Sequence, residues 1–171
     1  MDARHINAFV EAAKAVFTTM LNLEISFDRP SVICGNPTYD VSGVIGLSGD
    51  VVGSVIIGIP RSCASGIVRA FTGTEYEVGC AEFADAVGEL VNMIAGGAKA
   101  RFEGLNVSIG CPTVIIAPSH QVRNPSSALG ICIPCQTPAG RLVIDVAFKS
   151  VGKSHASVSS PAANGTGQAA A

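Results

Sequence analysis

The sequence of 171 residues is poor in aromatic and charged side chains. It has no tryptophan and two tyrosines, and 14% of its residues are charged whereas 48% are hydrophobic. A core in this chain must therefore be mainly aliphatic. The net charge of −2 argues against nucleic acid as the main partner, because phosphate binding needs a basic surface. The longest strongly apolar run, Val51–Ile59, is far shorter than the roughly 20 residues of a membrane-spanning helix, so we expect no membrane partner.

The two ends of the sequence differ from its middle. Residues Met1–His5 lack the basic and then apolar layout of a signal peptide, which predicts a cytoplasmic protein whose six cysteines are reduced thiols. Residues 151–171 consist mostly of Ser, Ala, Gly and Pro and are predicted to be a disordered tail. Residues 1–150 then form one domain.

Hydrophobic periodicity predicts helices and hairpins in alternation. Apolar residues at helical spacing predict one long helix over Ile6–Leu23 and a second over roughly 81–102, and Pro60 and Gly73 bracket a shorter helix. Val122–Ser127 reads as a polar loop. The β-rich runs predicted as strands are 41–47, 51–59, 105–109, 113–117, 129–136 and 141–148.

These elements predict an α+β domain with an antiparallel sheet and two long helices packed on it. Each half of the chain consists of a long helix, a loop and a β-hairpin. This shared plan suggests an internal pseudo-twofold duplication.

The second long helix carries a polar stripe opposite its apolar face. At about 100° per residue, Asp85, Glu89, Asn92 and Gly96 stack on that side. A glycine inside a helix costs roughly 1 kcal/mol relative to alanine, which favours a place of close backbone approach. We infer that a partner docks on this polar stripe. The residues predicted to face the core are Phe83, Val87, Leu90, Val91, Ile94, Ala98 and Phe102.

Two interpretations of the polar stripe follow from its residue types. The simpler one is a solvated helix face, since polar residues are expected opposite a core. The other is chemical: a carboxamide one turn from a carboxylate can hold a water by two hydrogen bonds. Phosphoryl transfer needs mainly positioning and charge stabilisation. Asn92 as an orienting group and Glu89 as an anchor would therefore suffice to hydrolyse a phosphoryl group that a partner holds.

Cys132 and Cys135 form a C-x-x-C pattern, which occurs in redox pairs and zinc sites. Redox pairs usually lie at a helix N-terminus, whereas this pair lies in a predicted strand. A structural zinc site needs two further ligands at recognisable spacing, and the other cysteines are scattered singly. We expect small packed side chains here and no metal site. His120 is predicted to be a loop histidine without a catalytic role.

The segment Gly88–Lys99, with its pattern Glu-Leu-x-Asn-Met-Ile-x-Gly, resembles the signature helix of the CheC/CheX/FliY family of chemotaxis phosphatases. The chain is most similar to the CheX-type members, over roughly Ile6–Phe148. The resemblance implies a phosphatase that accelerates dephosphorylation of a phosphorylated CheY-type response regulator. The alternative is a non-catalytic receiver-binding or signalling interaction module of the same fold.

The family signature, an Asp or Ser, then Glu, then Asn, has the spacing of Asp85, Glu89 and Asn92. By this resemblance, Asn92 orients the attacking water and Glu89 contacts the regulator's active-site lysine. Asp85 is a secondary partner contact, and Gly96, by our own inference, leaves room for the partner. Mg²⁺ is expected on the regulator, with no cofactor bound by this chain itself.

Three further expectations come from the same resemblance. One site per chain is expected, because Glu11 on the first helix is followed by Lys14 where an asparagine would be needed. A homodimer that joins sheet edges is expected as well. The family pattern also includes a downstream proline, for which both Pro112 and Pro118 are candidates.

Overall fold

The computed structural model describes residues 3–33, 37–123 and 130–151. Most of the predicted tail and residues 124–127 of the predicted polar loop lie outside these ranges. The helices are α1 Ala3–Thr19, α2 Arg61–Thr72 and α3 Ala81–Lys99. The strands are β1 Ser26–Phe27, β2 Ser31–Val32, β3 Thr38–Gly49, β4 Val51–Ile59, β5 Val107–Ile109, β6 Thr113–Gln121, β7 Gly130–Thr137 and β8 Gly140–Ser150.

The strands form one antiparallel sheet in the order β1-β7-β8-β4-β3-β5, with β2 also paired to β7 and β6 to β3. Both predicted hairpins are confirmed, β3–β4 and β7–β8. Gly49 has φ +100°, a left-handed conformation that suits glycine in the turn of the first hairpin. The α+β class predicted from the sequence is confirmed.

The strand pairing is the pattern expected of a pseudo-twofold arrangement. The first half contributes α1, β1, β2 and the hairpin β3–β4, and the second contributes α3, β5, β6 and the hairpin β7–β8. The strands outside the hairpin of each half pair with the hairpin of the other half. The two hairpins meet through β4 and β8, with Val55 opposite Val146. The shorter helix α2 follows the first half only.

Helix α1 ends earlier than predicted, at Thr19 rather than Leu23. The hydroxyl of Thr19 donates to the carbonyl of Ala15 at 2.6 Å, and Asn22 has φ +51°, so the backbone leaves the helix in a left-handed residue. Met20 continues the apolar spacing of the predicted helix, but because it lies beyond Thr19 it is 52% exposed and does not face the core.

The short strands were missed because two residues cannot show a periodic pattern. β1 and β2 have two residues each.

At the other edge of the sheet, β6 continues to Gln121, so His120 lies in a strand and not in a loop. Its Nε2 lies 2.7 Å from Oγ of the buried Ser42 on β3. Within the described residues, no helix is both long and apolar enough to cross a membrane.

Candidate active site

Helix α3 begins at a weak cap and is held by its apolar face. Cys80 precedes it in an extended conformation, and the Cys80 sulfur accepts the Phe83 N–H at 3.4 Å. Glu82 lies in the first turn, where a hydrogen bond from its own backbone lowers the pKa of its carboxyl. The residues of α3 that are buried are Phe83, Ala86, Val87, Gly88, Leu90, Val91, Ile94, Ala95 and Ala98. With Phe102 also buried, the predicted core face is confirmed.

Two glycine contacts fix α3 against the rest of the domain. A β-carbon at Gly43 on β3 would lie 2.1 Å from Cγ2 of Val91, so the helix packs directly on the sheet backbone at this point. A β-carbon at Gly97 would lie 3.1 Å from Cβ of Ala12 on α1. The helix therefore has little freedom to shift, and its outward side keeps one orientation.

The flank of α3 next to the polar stripe faces the β5–β6 connection. A β-carbon at Gly88 would lie 3.5 Å from Val114 and 3.7 Å from Pro112. A β-carbon at Gly96 would lie 3.9 Å from Ile109. The sequence alone does not predict this neighbourhood, although a glycine inside a helix indicates that another element approaches closely. Pro112 thus lies beside the helix, one turn of backbone from the polar stripe.

The polar stripe itself is directed to solvent. Asp85 and Glu89 are exposed, and Asn92 and Gly96 are partly exposed. Consecutive members are three or four residues apart, which brings their positions within about 5–6 Å of each other. Within the described part of the chain, none of the three polar side chains forms a hydrogen bond or ion pair. Two carboxylates and a carboxamide are thus held in a row, with their hydrogen-bonding capacity open to a partner.

The C-x-x-C pattern does not form a site. Cys135 packs in the core, whereas Cys132 lies opposite Asp145 on the other face of the sheet. A separation of three residues places side chains on opposite faces of a strand. Burial raises the pKa of both thiols to about 12, which disfavours the reactive thiolate. No group of three His, Cys, Asp or Glu residues among those described could hold a metal ion.

Comparison with known proteins identifies the family. The family model described as Chemotaxis phosphatase CheX matches residues 41–136, more than half of the chain. The CheY-P phosphatase CheX of Thermotoga maritima is 32% identical over 119 residues, which are 67% of this chain and 77% of that protein.

Solved structures agree with this result. A chemotaxis protein CheX from Desulfovibrio desulfuricans superposes with a TM-score of 0.80 and 28% identity, covering 85% of this chain and 99% of that one. The CheX chain of the CheX–CheY–BeF3–Mg²⁺ complex from Borrelia burgdorferi gives a TM-score of 0.73 and 25% identity, covering 85% and 98%. The fold, the polar stripe and these similarities together show that the chain belongs to the CheX family of chemotaxis phosphatases.

Proposed function

We propose that this protein is a phosphatase of the chemotaxis system that accelerates dephosphorylation of a CheY-type response regulator. The observation that carries the proposal is the row of Asp85, Glu89 and Asn92, which has no partner among the described residues and faces solvent on a fixed helix. The relative from Thermotoga maritima is named a CheY-P phosphatase. The neighbour from Borrelia burgdorferi was solved in complex with CheY.

In the proposed reaction, Asn92 orients a water towards the phosphorus of the regulator's aspartyl phosphate. The carboxamide offers both an acceptor and donors, so it can accept from the water and donate to a phosphoryl oxygen. The water attacks, the acyl–phosphate bond breaks, and inorganic phosphate and the free aspartate are formed. Little covalent chemistry is required of the catalyst, because positioning and charge stabilisation supply most of the acceleration.

Glu89 and Asp85 are proposed to hold the regulator in place. Glu89 lies one turn before Asn92 and would pair with the regulator's active-site lysine, and Asp85 would add a second contact a further turn away. Gly96 has no side chain, so the partner's backbone can approach α3 there. Only Ile109 lies within 4 Å of a β-carbon placed at this position, so no contact within the described residues requires a glycine.

We assign Mg²⁺ to the regulator and no cofactor to this chain. The Borrelia burgdorferi complex contains Mg²⁺ together with CheX and CheY. The three polar side chains of the stripe include two carboxylates, but their helical spacing places them in a row along the surface rather than around a point. A row of this kind suits contact with a partner's site better than coordination of a metal.

A homodimer in the cytoplasm is part of the same proposal. The sheet ends in β1 and β2 beyond β7 on one side and in β5 and β6 beyond β3 on the other, and unpaired strand edges favour pairing with a second copy. Light scattering at micromolar concentration should give twice the mass of the chain, and a monomer would contradict this part.

The decisive experiment follows the decay of a phosphorylated CheY-type regulator with and without this protein. We expect faster decay with wild type and with Asn7→Ala, a matched change on the exposed face of α1, and loss of the acceleration with Asn92→Ala. Saturable binding with unchanged decay would instead identify a non-catalytic receiver-binding module, with the polar stripe as its docking surface.

A further inference from the structure

The sheet face turned away from α3 contains a buried carboxylate that the proposed phosphatase reaction does not use. Along β8, Leu142, Ile144 and Val146 belong to the core under the helices, so Asp145 points to the other face. Asp145 is 2% exposed. Its cross-strand neighbours are Cys132 on β7 and Ile56 on β4.

One oxygen of this carboxylate is satisfied and the other is not. The hydroxyl of Tyr39 donates to Oδ2 of Asp145, and the thiol of Cys132 is a second hydrogen-bonding neighbour. The Tyr39 ring is held over Gly58, where a β-carbon would lie 2.1 Å from the ring. Oδ1 of Asp145 has no hydrogen-bond partner in the described structure. Buried polar atoms without a partner are rare in native proteins and need an explanation.

Asp145 also lines a cavity of about 720 Å³, a volume in the range of small-molecule sites. Its walls are partly apolar, with Val32, Pro134 and Val143 among them. The acidic and basic side chains that line the cavity are three carboxylates and one guanidinium, which belong to Asp28, Asp40, Asp145 and Arg141. The excess of carboxylates makes the cavity attractive to a cation.

The donor that Oδ1 lacks can come from a ligand in this cavity. Burial raises the pKa of Asp145, so the charged form is costly while the cavity holds no cation. An ammonium group at Oδ1 would satisfy the acceptor and offset that cost in one contact. The apolar walls would cover the body of the same molecule.

We propose that this cavity is a binding site for a small organic ammonium, with an apolar body against the cavity wall and its N–H donor on Oδ1 of Asp145. The site is separate from the polar stripe, since the sheet lies between them. It goes beyond the proposed phosphatase activity and does not depend on it.

The test is calorimetric titration of the full chain with phenethylammonium, and with 2-phenylethanol as a neutral probe of nearly the same shape. We expect saturable binding of the ammonium, at least about tenfold weaker binding of the alcohol, and a similar loss for the ammonium in Asp145→Asn. Asp50→Asn is the matched control, because Asp50 accepts the Asn106 N–H at 2.8 Å and does not line the cavity. Asp50→Asn and Asn92→Ala should bind like wild type.

A measurement on the wild type alone keeps the test independent of how Asp145→Asn folds. Under titration with phenethylammonium, NMR shifts should move saturably at Tyr39, Cys132 and Asp145. The proposal would be overturned if the ammonium showed no saturable binding or if both probes bound equally well. It would also be overturned if the chemical shifts changed at other residues and not at these three. A water as the sole partner of Oδ1, in crystals grown with phenethylammonium, would overturn it too.

Discussion

Gly97 in α3 lies directly against Ala12 in α1, with 3.1 Å between a β-carbon at position 97 and the Ala12 Cβ. Its neighbour Gly96 has only Ile109 nearby, at 3.9 Å. At the first glycine, packing between the helices leaves little space for a side chain. The second is not crowded in this way within the described chain, which makes it a candidate for contact with a partner.

Substitution of the two glycines should separate these roles. Gly96→Ala should raise the free energy of unfolding by roughly 1 kcal/mol, because alanine is the better helix former and the added methyl group has space. Gly97→Ala should raise the free energy of unfolding by less, because crowding against Ala12 offsets the higher helix propensity of alanine. Urea unfolding of both variants measures the difference, and equal gains would contradict this account of Gly97.

A longer side chain at position 96 should affect activity rather than folding. Gly96→Met is expected to melt no lower than wild type and to lower kcat/KM for the phosphorylated regulator, because the side chain blocks close approach to α3. Gly97→Ala serves as the control with unchanged kcat/KM. Undiminished activity of Gly96→Met would show that the partner does not approach the helix there.

Asn92→Ala should reduce the acceleration of regulator dephosphorylation by about 10²-fold, the usual effect of removing one positioned hydrogen-bonding group. The melting temperature should change little, because Asn92 is partly exposed and has no hydrogen-bond partner in the described residues. Phosphate release in single turnover measures the effect. Wild-type rates in this variant would remove Asn92 from the mechanism.

Glu89→Gln should raise KM more than it lowers kcat, because the proposed role of the carboxylate is to bind a lysine of the regulator. The variant should also show a weaker dependence of KM on salt, since one charge pair is lost. Glu11→Gln, an exposed glutamate on α1, is the matched control. A loss confined to kcat would point to a part in the chemical step instead.

Two cavity-lining aspartates should give stability profiles of opposite slope with pH. Burial raises the pKa of Asp145 above the ordinary value of 3.8. The protonated Asp145 carboxyl contributes its full stability below pH 3.8, and this contribution is lost as the pH rises through the raised pKa of the folded protein. The free energy of unfolding of Asp145→Asn, measured relative to wild type, should therefore increase with pH across this window.

Asp40 shows the reverse behaviour. The backbone N–H groups of Arg61 and Ser119 donate to its carboxylate and lower its pKa. The stability that the Asp40 carboxylate contributes is present above pH 3.8, its ordinary pKa, and is lost as the pH falls through its lower pKa in the folded protein. Asp40→Asn should thus be less stable than wild type at neutral pH, and the difference should shrink on acidification. Urea unfolding between about pH 3 and 8 tests both variants, and slopes of the same sign would contradict the assignment.

The cysteines should react in the order of their exposure and pKa. Cys111 is exposed, whereas Cys63 and Cys135 are buried, and burial raises the pKa of Cys63 to about 11. Iodoacetamide at pH 8 should label Cys111 well before Cys63, Cys132 and Cys135, as mass spectrometry of the digested protein can show. Rapid labelling of Cys132 with Cys135 would restore the redox interpretation of the C-x-x-C pattern.

The elements that have a strong hydrophobic period could be predicted from the amino-acid sequence. The apolar spacing in α3 and the alternation in β8 could be read directly, because side-chain direction follows from helix and strand geometry alone. The polar stripe could be found in the same way, since its members lie within three turns of one helix. Family resemblance then supplied the roles that spacing could not.

The neighbours of these elements depend on the folded structure as a whole. The end of α1 at Thr19 depends on the backbone at Asn22, and β1 and β2 are too short for any pattern. The placement of Pro112 beside Gly88 and the hydrogen bond from Tyr39 to Asp145 join residues far apart in the chain. Such contacts arise from the order of strands in the sheet, which local periodicity does not encode.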